Sequence, residues 1–160
     1  MPETRRMHRA LRLDGFLPYR LSVTSNAVSD VIANAYHALF GLSIPEWRIV
    51  AILAERDRIS QFDLCAVAHM DKVTVSRAAI KLVERGLVQR APNLDDKRSH
   101  LLSLTPDGRA LYEQVVPKAL AVEDALIANF SSKEVKQLMN LLARLHRSAN
   151  LLAEPTTPIR

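Results

Sequence analysis

The stretch from Asp71 to Thr105, DKVTVSRAAIKLVERGLVQRAPNLDDKRSHLLSLT, decides the fold, because it reads as one bounded helix running directly into a hairpin with a basic tip. Asp71 is placed to accept a backbone N–H at the helix start. Good helix formers fill Ser76 to Arg85, and Gly86 stands where a left-handed residue closes a helix. Val75, Ala79, Leu82 and Val83 recur at helical spacing and face a core, which leaves Thr74, Arg77 and Lys81 on the opposite side, free to touch a ligand.

Immediately upstream, Ser60 is followed three residues later by Asp63, a capping signal that opens a shorter helix with Leu64, Val67 and Ala68 as its apolar set. With His69-Met70 as the joint, the pair has helix-turn-helix spacing, although the turn lacks the glycine often found there. In such a pair the second helix lies in the major groove. There Lys72 and Arg77 are suited to guanine edges or phosphates, Thr74 to a base or phosphate, and Val73 to a thymine methyl.

Downstream of Gly86, Leu87 to Arg90 and Leu101 to Leu104 have strand composition, and Asn93 to Arg98 form a polar turn between them. This is a wing. Arg98 at its tip suits the negative potential of a narrow minor groove, with Asp96 placed to orient it. Taken singly, Lys72, Arg77, Lys81, Lys97 and Arg98 read as an ordinary solvated surface. The ordered series of capped helix, second helix, hairpin and arginine tip favours nucleic acid.

The longer run DKVTVSRAAIKLVERGLVQRAPNLDDKRSHLLSLTPDGRALYE resembles the winged-helix core of the MarR family of bacterial transcription regulators. The most specific features are Arg77 after Thr74-Val75-Ser76, the Glu84-to-Arg90 junction, Asp96-Lys97-Arg98 and Leu104-Thr105-Pro106-Asp107-Gly108, in that order. The resemblance implies a triangular homodimer with recognition helices in successive major grooves, and a ligand pocket between dimerisation and DNA-binding lobes. By the same resemblance Val73, Thr74 and Arg77 match positions that meet bases or phosphates, Ser60 and Gln61 match backbone-contacting positions, and Arg98 and Asp96 match the wing pair. Lys97 stands where the family often has arginine, and Leu94 where proline is frequent; neither change removes the wing chemistry.

At 160 residues and 48% hydrophobic content the chain can bury one good core, and no apolar run approaches the roughly 20 residues needed to span a bilayer. With one cysteine, Cys65, and no apolar segment after the Arg-rich start, the expected setting is a reducing cytoplasm, with no membrane partner. The net charge of +5 favours polyanionic partners without identifying a site. Arg5, Arg6, Arg9 and Arg12 make a basic arm, read as flexible or dimer-packing.

The expected class is therefore mainly α with a small β-hairpin. Residues 1–40 form the arm and first dimerisation helix, 41–105 the winged helix-turn-helix domain, and 106–160 the C-terminal dimerisation helices. The first helix runs from about Leu17 to Leu39. Ser43-Ile44-Pro45-Glu46 starts a second that ends near Arg56, Thr105-Pro106 opens a long helix that Pro117 is placed to kink, and Ser131 to Glu134 start the last. The broad apolar surface of Val135, Leu138, Leu141, Leu142 and Leu145 suits a second subunit, its own first helix, or both.

Polar residues amid the apolar first helix suggest effector sensing. Arg20, Ser25, Asn26 and Arg48, with Trp47 or His37 as an aromatic wall, suit an anionic or phenolic ligand, and the alternative is that Arg48 pairs within the protein while Ser25 and Asn26 are solvated. Leu17-Pro18-Tyr19-Arg20 and Glu46-Trp47-Arg48 are similar to the family branch that answers aromatic acids or their coenzyme A thioesters, whose phosphates Arg20 and the basic arm would meet. No bound cofactor is expected. Cys65 and His69 sit one helical turn apart, so a metal-sensing regulator is one alternative, and a non-specific architectural DNA-binding protein is another. No cation flanks Cys65 in sequence to make it a reactive thiolate, and no nucleophile elbow, phosphate loop or metalloprotease motif supports an enzyme.

Overall fold

A computed structural model of the protein describes residues 11–94, 96 and 99–153; Arg5, Arg6, Arg9, Asp95, Lys97 and Arg98 lie outside the described residues. In chain order a short 3-10 turn is followed by α1 (Leu17–Phe40), α2 (Ile44–Arg56), β1 (Ile59–Ser60), α3 (Gln61–Ala68), α4 (Lys72–Glu84), β2 (Val88–Pro92), β3 (His100–Leu104), α5 (Pro106–Ile127) and α6 (Ser132–Ala153). The expected class holds: the described residues form six α-helices and one small antiparallel sheet. The chain divides into two compact units, one ending at Ala119 and the other beginning at Leu120.

From α2 to α6 each helix start has a side chain that replaces missing backbone partners, whereas α1 begins after Phe16 with no side-chain cap. At α2, Ser43 and Glu46 cap reciprocally: the Ser43 N–H donates to Glu46 Oε2 at 2.8 Å, and the Glu46 N–H to Ser43 Oγ at 3.4 Å. That exchange explains how Glu46 is buried at 5% exposure without an orphaned carboxylate. Ser60 accepts the Asp63 N–H at α3 and Asp71 accepts the Thr74 N–H at α4. Thr105 accepts the Gly108 N–H at α5 and Ser131 pairs with Glu134 at α6. Gly41, at φ 60°, closes α1, as its lack of a Cβ allows.

The turn between α3 and α4 obtains its left-handed residue without glycine. His69 takes φ 50° and ψ 44°, and the N–H groups of His69 and Met70 satisfy the carbonyls of Ala66 and Cys65 at 3.3 Å each. A non-glycine residue there costs about 1 kcal/mol.

Strand order is β1-β3-β2, with β3 antiparallel to both neighbours; Val88 faces Leu104 and Pro92 faces His100 across the hairpin. Pro92 is tolerated because it sits at the end of an outer strand. β1 is a departure from the sequence reading, which takes Ile59 and Ser60 only as the lead into a helix. Ile59 pairs with Leu102 and Ser60 with Leu101, so the wing is rooted on the residues that start α3.

Within the first unit, Ile49 and Leu53 of α2, Leu64 of α3, Val75, Ala79 and Leu82 of α4, Leu102 of β3 and Val115 of α5 are essentially inaccessible to water. Removal from water contributes roughly 1.5–3 kcal/mol for each large aliphatic side chain, which fixes how α4 is rolled on the core. In the second unit, α6 carries Leu138, Leu141 and Leu142 on its exposed surface. Among the described residues no single helix is long and apolar enough to cross a membrane.

Candidate nucleic-acid interface

Because Val75, Ala78, Ala79 and Leu82 turn into the core, the helical period forces Val73, Arg77 and Lys81 onto an outward ridge, each four residues from the last. Lys72, Val73, Arg77 and Lys81 are all exposed, Val73 at 57% despite being aliphatic. A groove of about 240 Å³ runs beside this ridge, lined by Thr74, Arg77 and Lys81 from α4 and by Ser43, Pro45 and Glu46 from the start of α2.

Thr74 is held in one chemical role. Asp71 accepts its N–H through Oδ1 at 2.9 Å and its hydroxyl proton through Oδ2 at 2.6 Å. With the proton engaged, the Thr74 oxygen presents lone pairs outward, so while the cap stands it accepts from a base N–H and does not donate to a phosphate. The same bonds, the Thr74 hydroxyl first, hold the Asp71 carboxyl below the ordinary aspartate range.

Ser60 is similarly committed: it donates to Asp63 Oδ2 at 2.7 Å and accepts the Asp63 N–H at 3.1 Å. Its expected contact with the DNA backbone, whose oxygens only accept, therefore requires the hydroxyl proton to be released from Asp63. Gln61 lies in a cleft of about 550 Å³ with Phe62, Lys72, Arg90 and His100. Phe62 is 83% exposed, and neither it, Arg90 nor His100 is read as a DNA contact from the sequence. Their signal was the pairing of a helix start with a strand pair, visible only once β1 is known.

At the wing, Asn93 and Ser99 close the hairpin: the Asn93 N–H donates to the Ser99 carbonyl at 3.2 Å and the Asn93 side-chain amide to Ser99 Oγ at 2.9 Å. The Asp96 carbonyl accepts from the Ser99 N–H at 2.9 Å. Lys97 and Arg98, expected at the tip, lie outside the described residues, as does any contact of Asp96 with Arg98.

The six expected effector residues are not gathered into one site. Arg20, Ser25 and Asn26 are exposed along α1. His37 lines a mainly apolar cleft of about 560 Å³ with Asn34, Leu42, Ser43 and Pro45, which contains none of the other five. Arg48 reaches toward the Ala68 carbonyl at 3.4 Å, because Ile49 and Val50 take the core side of α2 and leave Arg48 beside the end of α3. Trp47 packs between two tyrosines, 5.3 Å from the ring of Tyr36 and stacked 5.8 Å from that of Tyr112. Tyr112 had no sequence signal, since nothing local brings α5 to α2.

Cys65 is half-buried against the core, and among the described residues no three His, Cys, Asp or Glu side chains gather as metal ligands.

Two capped helices joined by a tight turn, with a hairpin rooted on the first and a cationic ridge on the second, define a winged helix-turn-helix module for duplex DNA. Residues 40–99 match the MarR family. The chain is 30% identical over 123 residues to the HTH-type transcriptional regulator YdgJ of Bacillus subtilis, covering 77% of this chain and 75% of that one. It is 32% identical to a probable transcriptional regulator from Pseudomonas aeruginosa of known crystal structure, with a TM-score of 0.78 over 84% of this chain and 99% of that one. A MarR/EmrR family transcriptional regulator from Acinetobacter is 28% identical with a TM-score of 0.81, over 88% of this chain and 99% of that one. The chain belongs to the MarR family of transcription regulators.

Proposed function

We propose that the protein is a cytoplasmic homodimer that binds a palindromic operator, represses transcription from it, and is released by a small aromatic or phenolic effector, an acid or its coenzyme A thioester. The observation that carries the DNA reading is the roll of α4, which buries one face completely and turns Lys72, Val73, Arg77 and Lys81 outward beside an acceptor-only Thr74. Arg77 offers two donors to a guanine edge, Val73 meets a thymine methyl, and the lysines meet phosphates. Lys97 and Arg98 are assigned to the flanking minor groove.

Dimerisation is supported by the exposed Leu138, Leu141, Leu142 and Leu151 of α6 and by Leu17 and Val23 of α1, large apolar side chains that a second copy would cover. Effector binding is supported by the aromatic cluster in which Trp47 stacks on Tyr112 and lies tilted against Tyr36, a surface of the kind against which a planar ring packs. An effector acts only by favouring a geometry that misplaces the recognition helices, so operator DNA must weaken effector binding by the same factor.

The test is fluorescence anisotropy with DNA from upstream of the protein's own gene and a scrambled duplex, at two salt concentrations, using wild type and Arg77→Ala. Specific binding at least ~10³ tighter than to the scrambled duplex, lost in Arg77→Ala, supports the reading. Equal affinity for both duplexes leaves an architectural role or an operator elsewhere, and no binding to either ends the DNA assignment. Aromatic acids and their thioesters are then titrated into the complex; if none changes affinity, the effector class is wrong.

A further inference from the structure

Arg85 closes the recognition helix, yet its side chain serves a different helix. Its Nη1 donates to the Gly41 carbonyl at 2.9 Å and its Nη2 to the Phe40 carbonyl at 3.1 Å, across 44 and 45 residues of sequence. Those are carbonyls at the C-terminal end of α1, which have no partner within the helix. Meanwhile the backbone N–H of Arg85 bonds to the Lys81 carbonyl and that of Gly86 to the Val83 carbonyl, so the residue is fixed to the last turn of α4. The guanidinium of the residue that ends α4 therefore sits at the negative end of the α1 dipole, its planar fork spanning two consecutive carbonyls.

We propose that Arg85 is a positioning residue that fixes the angle between α1 and the recognition helix, and through it the distance between half-sites that a dimer can read. The inference rests on the dimeric, operator-binding reading above. In that reading α1 belongs to the lobe that joins the two subunits, and α4 carries the base-reading side chains. A bond between their ends sets where one lies when the other is fixed. The left-handed Gly41 turns the chain sharply at this point, so the α1 end is already constrained and Arg85 transmits that constraint to α4. A competing role as a phosphate contact is disfavoured by position. α4 has 13 residues, which places Arg85 about 20 Å from the N-terminal end that enters the groove, and its two donating nitrogens are already engaged.

The experiment uses the full chain as wild type, Arg85→Met and Arg85→Lys. Operator duplexes are first recovered by the wild-type protein from a random-sequence duplex library, and affinity is then measured for the recovered palindrome and for versions with its centre lengthened or shortened by one and two base pairs. Wild type is expected to lose ~10-fold or more on each altered spacing, because displaced half-sites forfeit base contacts. Arg85→Met is expected to bind the parent palindrome at least ~10-fold more weakly, with a parent-to-altered ratio falling toward one and an unchanged salt slope. Arg85→Lys, which keeps the charge but not the fork, is expected to fall between the two, and provides the same ratio if Arg85→Met fails to fold. A wild-type spacing ratio in the folded variants overturns the proposal, whether overall affinity is unchanged or uniformly lower. If the wild-type protein enriches no sequence from the library, the operator reading fails first and this inference falls with it.

Discussion

Replacing Gly108 with alanine tests the packing of α5 on the base of the wing. A Cβ built on Gly108 overlaps the carbonyl oxygen of Leu87, and stands 3.0 Å from the Leu87 carbonyl carbon and 3.2 Å from Leu104 Cδ2. The obstructing atom is backbone and is pinned, since the Leu87 carbonyl accepts the Thr105 N–H at 3.1 Å and the adjacent Gly86 carbonyl accepts the Thr105 hydroxyl at 2.6 Å. Relief requires α5 to lift from the sheet, which breaks the Thr105 cap or opens the packing of Val115. Overpacking in such settings costs about 1–3 kcal/mol, and a backbone obstacle places Gly108→Ala at the upper end, about 3 kcal/mol. For a chain of this size that lowers Tm by roughly 6–12 °C. Thermal unfolding followed by circular dichroism, at one fixed protein concentration because association shifts Tm, gives the value directly. Gly15→Ala is the control, as nothing lies within 4 Å of its Cβ. A Gly108→Ala protein melting within 2 °C of wild type, by the same estimate no more than about 1 kcal/mol, would refute the claim that close approach requires the glycine.

Further expectations follow from the caps and one strained residue. Asp57 sits at φ 55° and ψ −56° in a tight turn where the Arg58 N–H meets the Arg56 carbonyl at 2.6 Å. Asp57→Gly should therefore stabilise by about 1 kcal/mol in chemical denaturation even though it removes the 3.6 Å pair with Arg109, whose aspartate side is 90% exposed; a destabilised variant would show the turn is not strained. Asp71 has a lowered carboxyl pKa in the fold, so its contribution is present above the ordinary aspartate value and is lost as pH falls through the native value. Asp71→Asn, which keeps a cap but does not titrate, should flatten the fall of Tm between pH 5 and pH 2; parallel curves would show that the cap is not charge-assisted. Thr74→Val removes the outward acceptor, so selection from random duplexes should lose a preference for adenine or cytosine at one position of each half-site, and an unchanged consensus would mean Thr74 faces no base.

The helix boundaries were legible because caps are local: Ser43 with Glu46, Ser60 with Asp63, Asp71 with Thr74 and Ser131 with Glu134 each declare themselves within four residues. The outward ridge of α4 was legible for the same reason, since helical period alone fixes which residues oppose Val75 and Leu82. What escaped depends on contacts between distant segments. β1 is two residues long and exists only because Leu101 and Leu102 pass beside it. Tyr112 meets Trp47 at a sequence separation of 65, and Arg85 meets Gly41 at 44. The expected effector set, drawn from polar residues of α1 with Arg48 and the aromatic rings of His37 and Trp47, is not gathered within one chain, because polarity does not say which face of a helix meets a neighbour. Ser25 and Asn26 are exposed.

The pairing of Ile59 and Ser60 with β3 makes the hairpin a lever with a fixed root. Its central strand is shared with the segment that starts α3, and its far strand is shared with the end of α4, so tilting the stem would shear both attachments at once. The stem and the two helices must then approach a duplex together, as a single tool with two working edges at a fixed separation. A change at Leu94, beyond the paired strands, leaves the separation intact. Changes at Leu101 or Leu102 alter the separation itself, and no substitution at the tip can restore it.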